Sequence, residues 1–356
     1  MDTVGYDDVV ARLRADGCCI GVVADPDAYH VWKGALSREF GCPCVSKSSL
    51  AEFGESVYRH HWNAEHGGRK ETAGMRLGSM VDCLALTPWL WDEKYTRPWE
   101  PEGKYARPWD PGEPMRFKPK RDGSPSKTQD PDQKAAWAEA RERFEAEKAE
   151  QRAAFEADCE ARGRVVLKDG EQERAAAVAA VATAAMEGNG LVLGETCTSQ
   201  VGMWVYLREI GGVELPCPVI VTGMIDLLPW KGSRLVDLKS TSADVEQREK
   251  LNYAVEDFHY GLGAALYIDL YALCTGDARD EFELLFVSTG VPPMARSVVL
   301  GGAVLDEFRK EYAQLVRGYA AAWRTGEWGS SYIGECYYQP TRREVRRFDR
   351  LPEVNA

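Results

Sequence analysis

The run Thr222-Gly223-Met224-Ile225-Asp226-Leu227-Leu228-Pro229-Trp230-Lys231-Gly232-Ser233-Arg234-Leu235-Val236-Asp237-Leu238-Lys239-Ser240-Thr241 carries the most information in this chain. Two apolar stretches flank a Lys231-Gly232-Ser233 turn, a pattern that predicts a β-hairpin. Side chains alternate along a strand, so Asp237 and Lys239 share a face, and pairing across the hairpin brings Asp226 beside them. Carboxylates set among residues this apolar are costly unless a cation or a hydrogen-bond donor compensates them. Hard divalent cations take oxygen ligands, and a nearby lysine can orient water and offset charge on a phosphate. Two carboxylates and an ammonium at one point are the equipment of phosphodiester cleavage. On an exposed strand the same D-x-K triplet would be a cross-strand ion pair of little consequence. The apolar setting separates the two readings.

With 356 residues, the chain is long enough for one large domain or two smaller ones. Its 44% apolar and 28% charged residues are ordinary for a globular protein. No apolar run approaches the roughly 18 residues that span a bilayer, and the acidic start Met1-Asp2-Thr3 is unlike a signal peptide, so a cytoplasmic location is expected. Ten scattered cysteines lack the pairing of zinc or iron–sulfur sites and read as reduced core thiols. The five histidines show no H-E-x-x-H spacing. A net charge of −12 argues against a general nucleic-acid coat. One local exception exists: residues 94–127 hold nine Lys/Arg against five Asp/Glu.

Helices are predicted over Tyr6–Ala15, from a cap among Ser46–Ser49 to about Ala64, and over Arg76–Leu86. Residues 94–133 read as a Pro/Gly-rich loop containing a near-repeat, Arg97-Pro98-Trp99 and Arg107-Pro108-Trp109. Its aromatic and arginine side chains either stack on bases or pack back on the body. Gln133–Gly163 predicts a solvated helix, and Glu171–Glu187 a second helix rich in Ala and Val. Strands are then expected at Met203–Arg208, Val219–Pro229, Leu235–Ser240 and Glu283–Ser288, with helices at Tyr260–Leu273 and Val304–Arg324. Together these make an α/β core with a mixed sheet.

Taken in order, several motifs resemble the PD-(D/E)XK nuclease superfamily and, within it, phage and prophage RecE-type exodeoxyribonucleases. They are Tyr29-His30 with Ser46-Lys47-Ser48-Ser49-Leu50, the Gly78–Pro88 helix, Gly194-Glu195, Gly223-Met224-Ile225-Asp226, Val236-Asp237-Leu238-Lys239-Ser240-Thr241, and Tyr260–Tyr267. The resemblance covers most of the chain except residues 94–160. It implies a restriction-endonuclease-like core, a mixed central sheet flanked by helices. Residues 1–93 would be its helical N-terminal part, 94–165 a charged loop and helical insertion, 166–330 the nuclease core and 331–356 a basic tail.

The resemblance further implies that Asp226, Asp237 and the Leu238 carbonyl hold Mg²⁺ or Mn²⁺. Lys239 would position the attacking water, and Glu195 would assist the metal or that water. Asp82 stands where relatives carry His and is an acceptable hard-metal ligand. Gly263 stands where they carry Gln and supplies nothing. Ser46, Lys47 and Tyr267 would contact DNA, as would Arg97, Arg107, Trp99 and Trp109 on the basic loop. The expected activity is that of an exonuclease resecting duplex ends for recombination. Its partners would be double-stranded DNA ends, a single-strand annealing recombinase and copies of itself in a ring, with no membrane. The alternatives are a structure-specific endonuclease and a weakened fold that binds DNA or a recombination partner.

Overall fold

A computed structural model describes residues 1–67, 71–112 and 130–330. The basic residues from Arg116 to Lys127, Cys336 and the expected tail 331–356 lie outside the described residues.

The fold is mixed α/β, with a central sheet flanked by helices. Its backbone is the meander β5 (Cys197–Ile210), β6 (Val213–Pro229) and β7 (Arg234–Thr241), rich in the β-branched residues that suit a pleated surface. Gly211 and Gly212 turn β5 into β6 with positive φ, which only glycine adopts cheaply. Two helices, α9 (Arg248–Asp257) and α10 (Tyr260–Thr275), then cross over to β8 (Glu281–Ser288), which runs parallel to β7. An antiparallel β9 (Ala295–Gly301) closes that edge, and β1 (Cys18–Val22) closes the other against β5. The short β2 (Cys44–Ser46) pairs parallel to β6.

Alternation along the strands sorts the two faces. Val236 and Leu238 of β7, with Leu285 and Val287 of β8, bury against α5 (Ala73–Leu86) and α8 (Glu171–Gly188). Leu235, Phe282 and Leu284 turn the other way, onto α10, α3 (Lys47–Glu55) and α11 (Ala303–Thr325). A third cluster seats α1 (Tyr6–Asp16) and α2 (Pro26–Phe40) around Trp204. The single helix expected from Ser46–Ser49 to Ala64 is two. Ser56 is extended at φ −165, and its side chain accepts from the Arg59 N–H, capping α4 (Val57–His66).

After the four-residue α6 (Trp91–Lys94), β3 (Tyr95–Thr96) pairs in parallel with β4 (Val165–Val166) and clamps the insertion where it leaves and re-enters the body. Between them α7 (Pro131–Ala161) runs 31 residues, about 46 Å at 1.5 Å per residue. Only Gln133 and Cys159 of α7 are buried, as a solvated helix predicts. The nine cysteines among the described residues are free thiols. No helix among the described residues is long and apolar enough to cross a membrane.

Candidate active site

The hairpin register pairs Leu227 with Val236, which sets Asp226 across from Asp237. It is the one registered pair between β6 and β7, and the Asp226 side chain takes over where the ladder stops: its Oδ2 accepts from the Leu238 N–H at 2.9 Å. Lys239 Nζ lies 2.6 Å from Asp237 Oδ2 and 3.7 Å from Asp226 Oδ2, and donates to the Leu238 carbonyl at 3.2 Å. The Tyr260 ring, at the start of α10, stands under the ammonium with its centroid 5.6 Å away, an arrangement that favours the cation.

From the opposite layer α5 delivers Asp82 to the same spot. Gly78, one turn earlier, makes the approach possible, because a Cβ there would sit 2.9 Å from Ser240 Oγ on β7. Asp82 is therefore not a solvated helix residue: its Oδ1 is shut off from solvent and has no hydrogen-bond partner. Burial pushes its carboxyl up to about 7 against the pull of the Lys239 ammonium. Burial, then the charge of Asp237, raises Asp226 well above the usual carboxylate range. Burial by itself would lower Lys239, but Asp237 and Asp226 together raise it well above an ordinary lysine.

Three carboxylates around one ammonium leave two negative charges uncompensated when all are ionised, and one divalent cation would offset both. The donors suit such an ion, since they are hard oxygens and one of them is orphaned. Among the described residues no three His, Cys, Asp or Glu side chains close into a ligand cage. A cation would thus rest on one or two carboxylates and complete its shell with carbonyl and water oxygens, the usual habit of Mg²⁺.

Glu195 is not brought to the cluster. It is exposed on the turn entering β5, beyond the Cys197–Pro229 pair. That pair is three strand residues from Asp226, about 10 Å at 3.3 Å per residue. Gln200 stands opposite Asp226 instead, between the registered pairs Ser199–Leu227 and Val201–Ile225. It is buried, with a φ of 54 and an Oε1 without a partner. The sequence reading missed it because the strand was expected to begin at Met203; a polar residue at the head of an apolar run was the available signal.

The DNA-facing candidates divide. Lys47 lies beside the cluster: its stem runs along Gly263, where a Cβ would stand 3.1 Å from Lys47 Cγ, and its Nζ is 5.2 Å from the Tyr260 centroid. It also donates to the Phe258 carbonyl. Burial, and then the Lys239 charge, lowers its amine to about 8. The space left by a missing side chain at Gly263 is thus taken by a second cation. Ser46 is buried, its Oγ 3.2 Å from both Lys33 Nζ and Ser49 Oγ. Tyr267 packs under the site against Gly223 and Phe282. On the insertion, Arg97 and Arg107 are exposed, whereas Trp109 meets Trp137 of α7 at 6.4 Å and Trp99 lines clefts beside α7 and α8. Both tryptophans are partly buried.

No family model matches the chain, and no curated protein matches it. Among solved structures, a candidate exonuclease from Eubacterium rectale is similar at 12% identity and a TM-score of 0.46, over 85% of this chain and 91% of that one. A phage-related exonuclease from Haemophilus somnus aligns at 11% identity and a TM-score of 0.27, over 41% of this chain and 70% of that one. Likenesses this distant establish neither a family nor an activity.

Proposed function

We propose that the chain is a Mg²⁺- or Mn²⁺-dependent deoxyribonuclease that resects duplex DNA ends. The observation carrying this reading is the convergence of Asp226, Asp237 and Lys239 across one hairpin, with the buried Asp82 carboxyl close enough to feel the Asp237 and Lys239 charges. A divalent cation held by Asp226, Asp237 and the Leu238 carbonyl, with Asp82 beside them, would lower the pKa of water and offset charge on the phosphate.

The remaining work falls to the chain itself. An ammonium has three donors. Two of those on Lys239 are directed at Asp237 and the Leu238 carbonyl, which leaves the third to orient the attacking water. Water attacks phosphorus in line, the opposite P–O bond breaks, and the departing oxygen takes up a proton. The Lys239 charge, and that of Lys47 beside it, offset the negative charge that builds on the phosphate oxygens.

End-labelled linear duplex and closed circular duplex, each digested with Mg²⁺ or with chelator, test the reading. Metal-dependent shortening of the linear DNA alone supports it. Cutting of the circle makes the protein an endonuclease, and two intact substrates make it a binding protein. A well-folded Asp237→Ala variant that still cleaves would sink the assignment of the site.

A further inference from the structure

Beside the cluster lies a cavity of about 180 Å³, walled by Asp82, Asp226, Gln200, His30, Ser79 and Lys94 among others. Neither Asp237 nor Lys239 lines it. Two of the residues that line it, Asp82 and Gln200, each carry a side-chain oxygen that is shut off from solvent and lacks a partner. Buried acceptors normally find a donor, and each orphan in a native structure calls for an explanation.

Two of the lining donors are drawn to other partners. Ser79 Oγ donates to the Met75 carbonyl at 3.1 Å, inside its own helix. Lys94 Nζ is held between Asp25 at 3.0 Å and Asp27 at 2.7 Å. Burial, then the charge of Lys33, lowers the His30 pKa and so disfavours its charged form.

The backbone adds an independent sign. Gln200 and His259 are the non-glycine residues with positive φ among the described residues. A glutamine in the left-handed region is strained and persists only where its surroundings over-determine it. Here the Gln200 carbonyl is tied to the Val23 N–H at 2.9 Å, which fixes the kink opposite Asp226. Such strain concentrates at functional sites.

We propose that Gln200 is a metal ligand, whose Oε1 joins Asp82 Oδ1 and the Asp226 carboxylate to take a divalent cation on the cavity side of the cluster. The inference rests on the metal-dependent reading above. It gives Asp226 a place between two environments, the Lys239 ammonium on one side and the cation on the other. It also makes one ligand neutral, so the charge of the site is open to adjustment by a single substitution.

Mn²⁺ titration calorimetry, with no DNA present, tests it on the wild type, Gln200→Met and Gln200→Glu. Loss of a ligand should weaken Mn²⁺ binding on the order of 10- to 100-fold in Gln200→Met. Gln200→Glu, which adds a charge at the same length, should bind at least as tightly as wild type. Its melting temperature should also rise more on adding Mn²⁺ than that of wild type.

Were the amide turned over so that it merely donates to Asp82, Gln200→Met would free that carboxylate and bind Mn²⁺ equally or more tightly. That result overturns the inference. Should Gln200→Met fail to fold, Gln200→Glu binding more weakly than wild type overturns it as well. A wild type that binds no Mn²⁺ overturns the metal-dependent reading itself; a wild type that binds while both variants match it overturns the role of Gln200 alone.

Discussion

Replacing Asp82 by Asn should stabilise the metal-free protein, and more at pH 8 than at pH 5. Asp82 titrates near 3.8 in an unfolded chain and at about 7 in the folded protein, because burial disfavours its ionised form. At pH 5 the folded protein still holds this proton while the unfolded chain has mostly lost it; at pH 8 neither holds it. A raised carboxyl pKa therefore supports the fold at low pH, and that support drains away as pH climbs from about 4 to 7. Between pH 5 and 7 the loss spans about two units, on the order of 3 kcal/mol. Asn does not titrate and escapes the slope. Urea unfolding in chelator at the two pH values reads the difference directly. Equal stabilisation by Asp82→Asn at both, to within about 0.5 kcal/mol, would refute the claim that Asp82 is the group that pays for burial. Saturating Mn²⁺ should reverse the order, because the wild type then gains binding energy that the variant lacks.

Gly78→Ala should lower Mn²⁺ affinity about tenfold by pushing α5 off Ser240 and carrying Asp82 with it, an effect typical of disturbed ligand positioning. Adding Ser240→Ala should recover most of it, and a double variant no better than the single one counts against this packing. Lys47→Met should reduce the salt slope of duplex binding at pH 7 by roughly 0.9, the value of one phosphate contact. With its amine lowered to about 8, Lys47 is neutral by pH 10, so the difference from wild type should vanish there. An identical deficit at both pH values would assign Lys47 a packing role. Arg97→Ala with Arg107→Ala should flatten the salt slope by roughly one to two units without touching Mn²⁺ binding; unchanged salt dependence would place the DNA path away from the insertion.

The hairpin, and with it the meeting of Asp226, Asp237 and Lys239, was legible because strand alternation is local and turn chemistry marks the register. The α10 and α11 helices and the solvated α7 were legible for the same reason of local pattern. Less could be read where tertiary pairing decides. β1 is an edge strand whose partner lies far along the chain, and short apolar runs such as Cys18–Val22 have no period long enough to declare themselves. The helix after β2 looked continuous because nothing in its composition outweighs helix propensity at Ser56; the break is made by the serine's own cap. Asp82 was found as a candidate, but its burial follows from the close approach at Gly78, which no one-dimensional pattern displays. Glu195 is near the site only along the chain, whereas the residue opposite Asp226 is fixed by counting across the ladder.

The β3–β4 clamp has a mechanical consequence. Parallel strands need a long crossover to join them, and here that crossover is the whole of residues 97–164, leaving and returning through neighbouring strands roughly 4.8 Å apart. Among the described residues the far part of α7 is largely exposed and stands away from that root, so it transmits little force to what lies behind it. Length can therefore be added to or taken from α7 with little effect on the spacing of the carboxylates on β6 and β7.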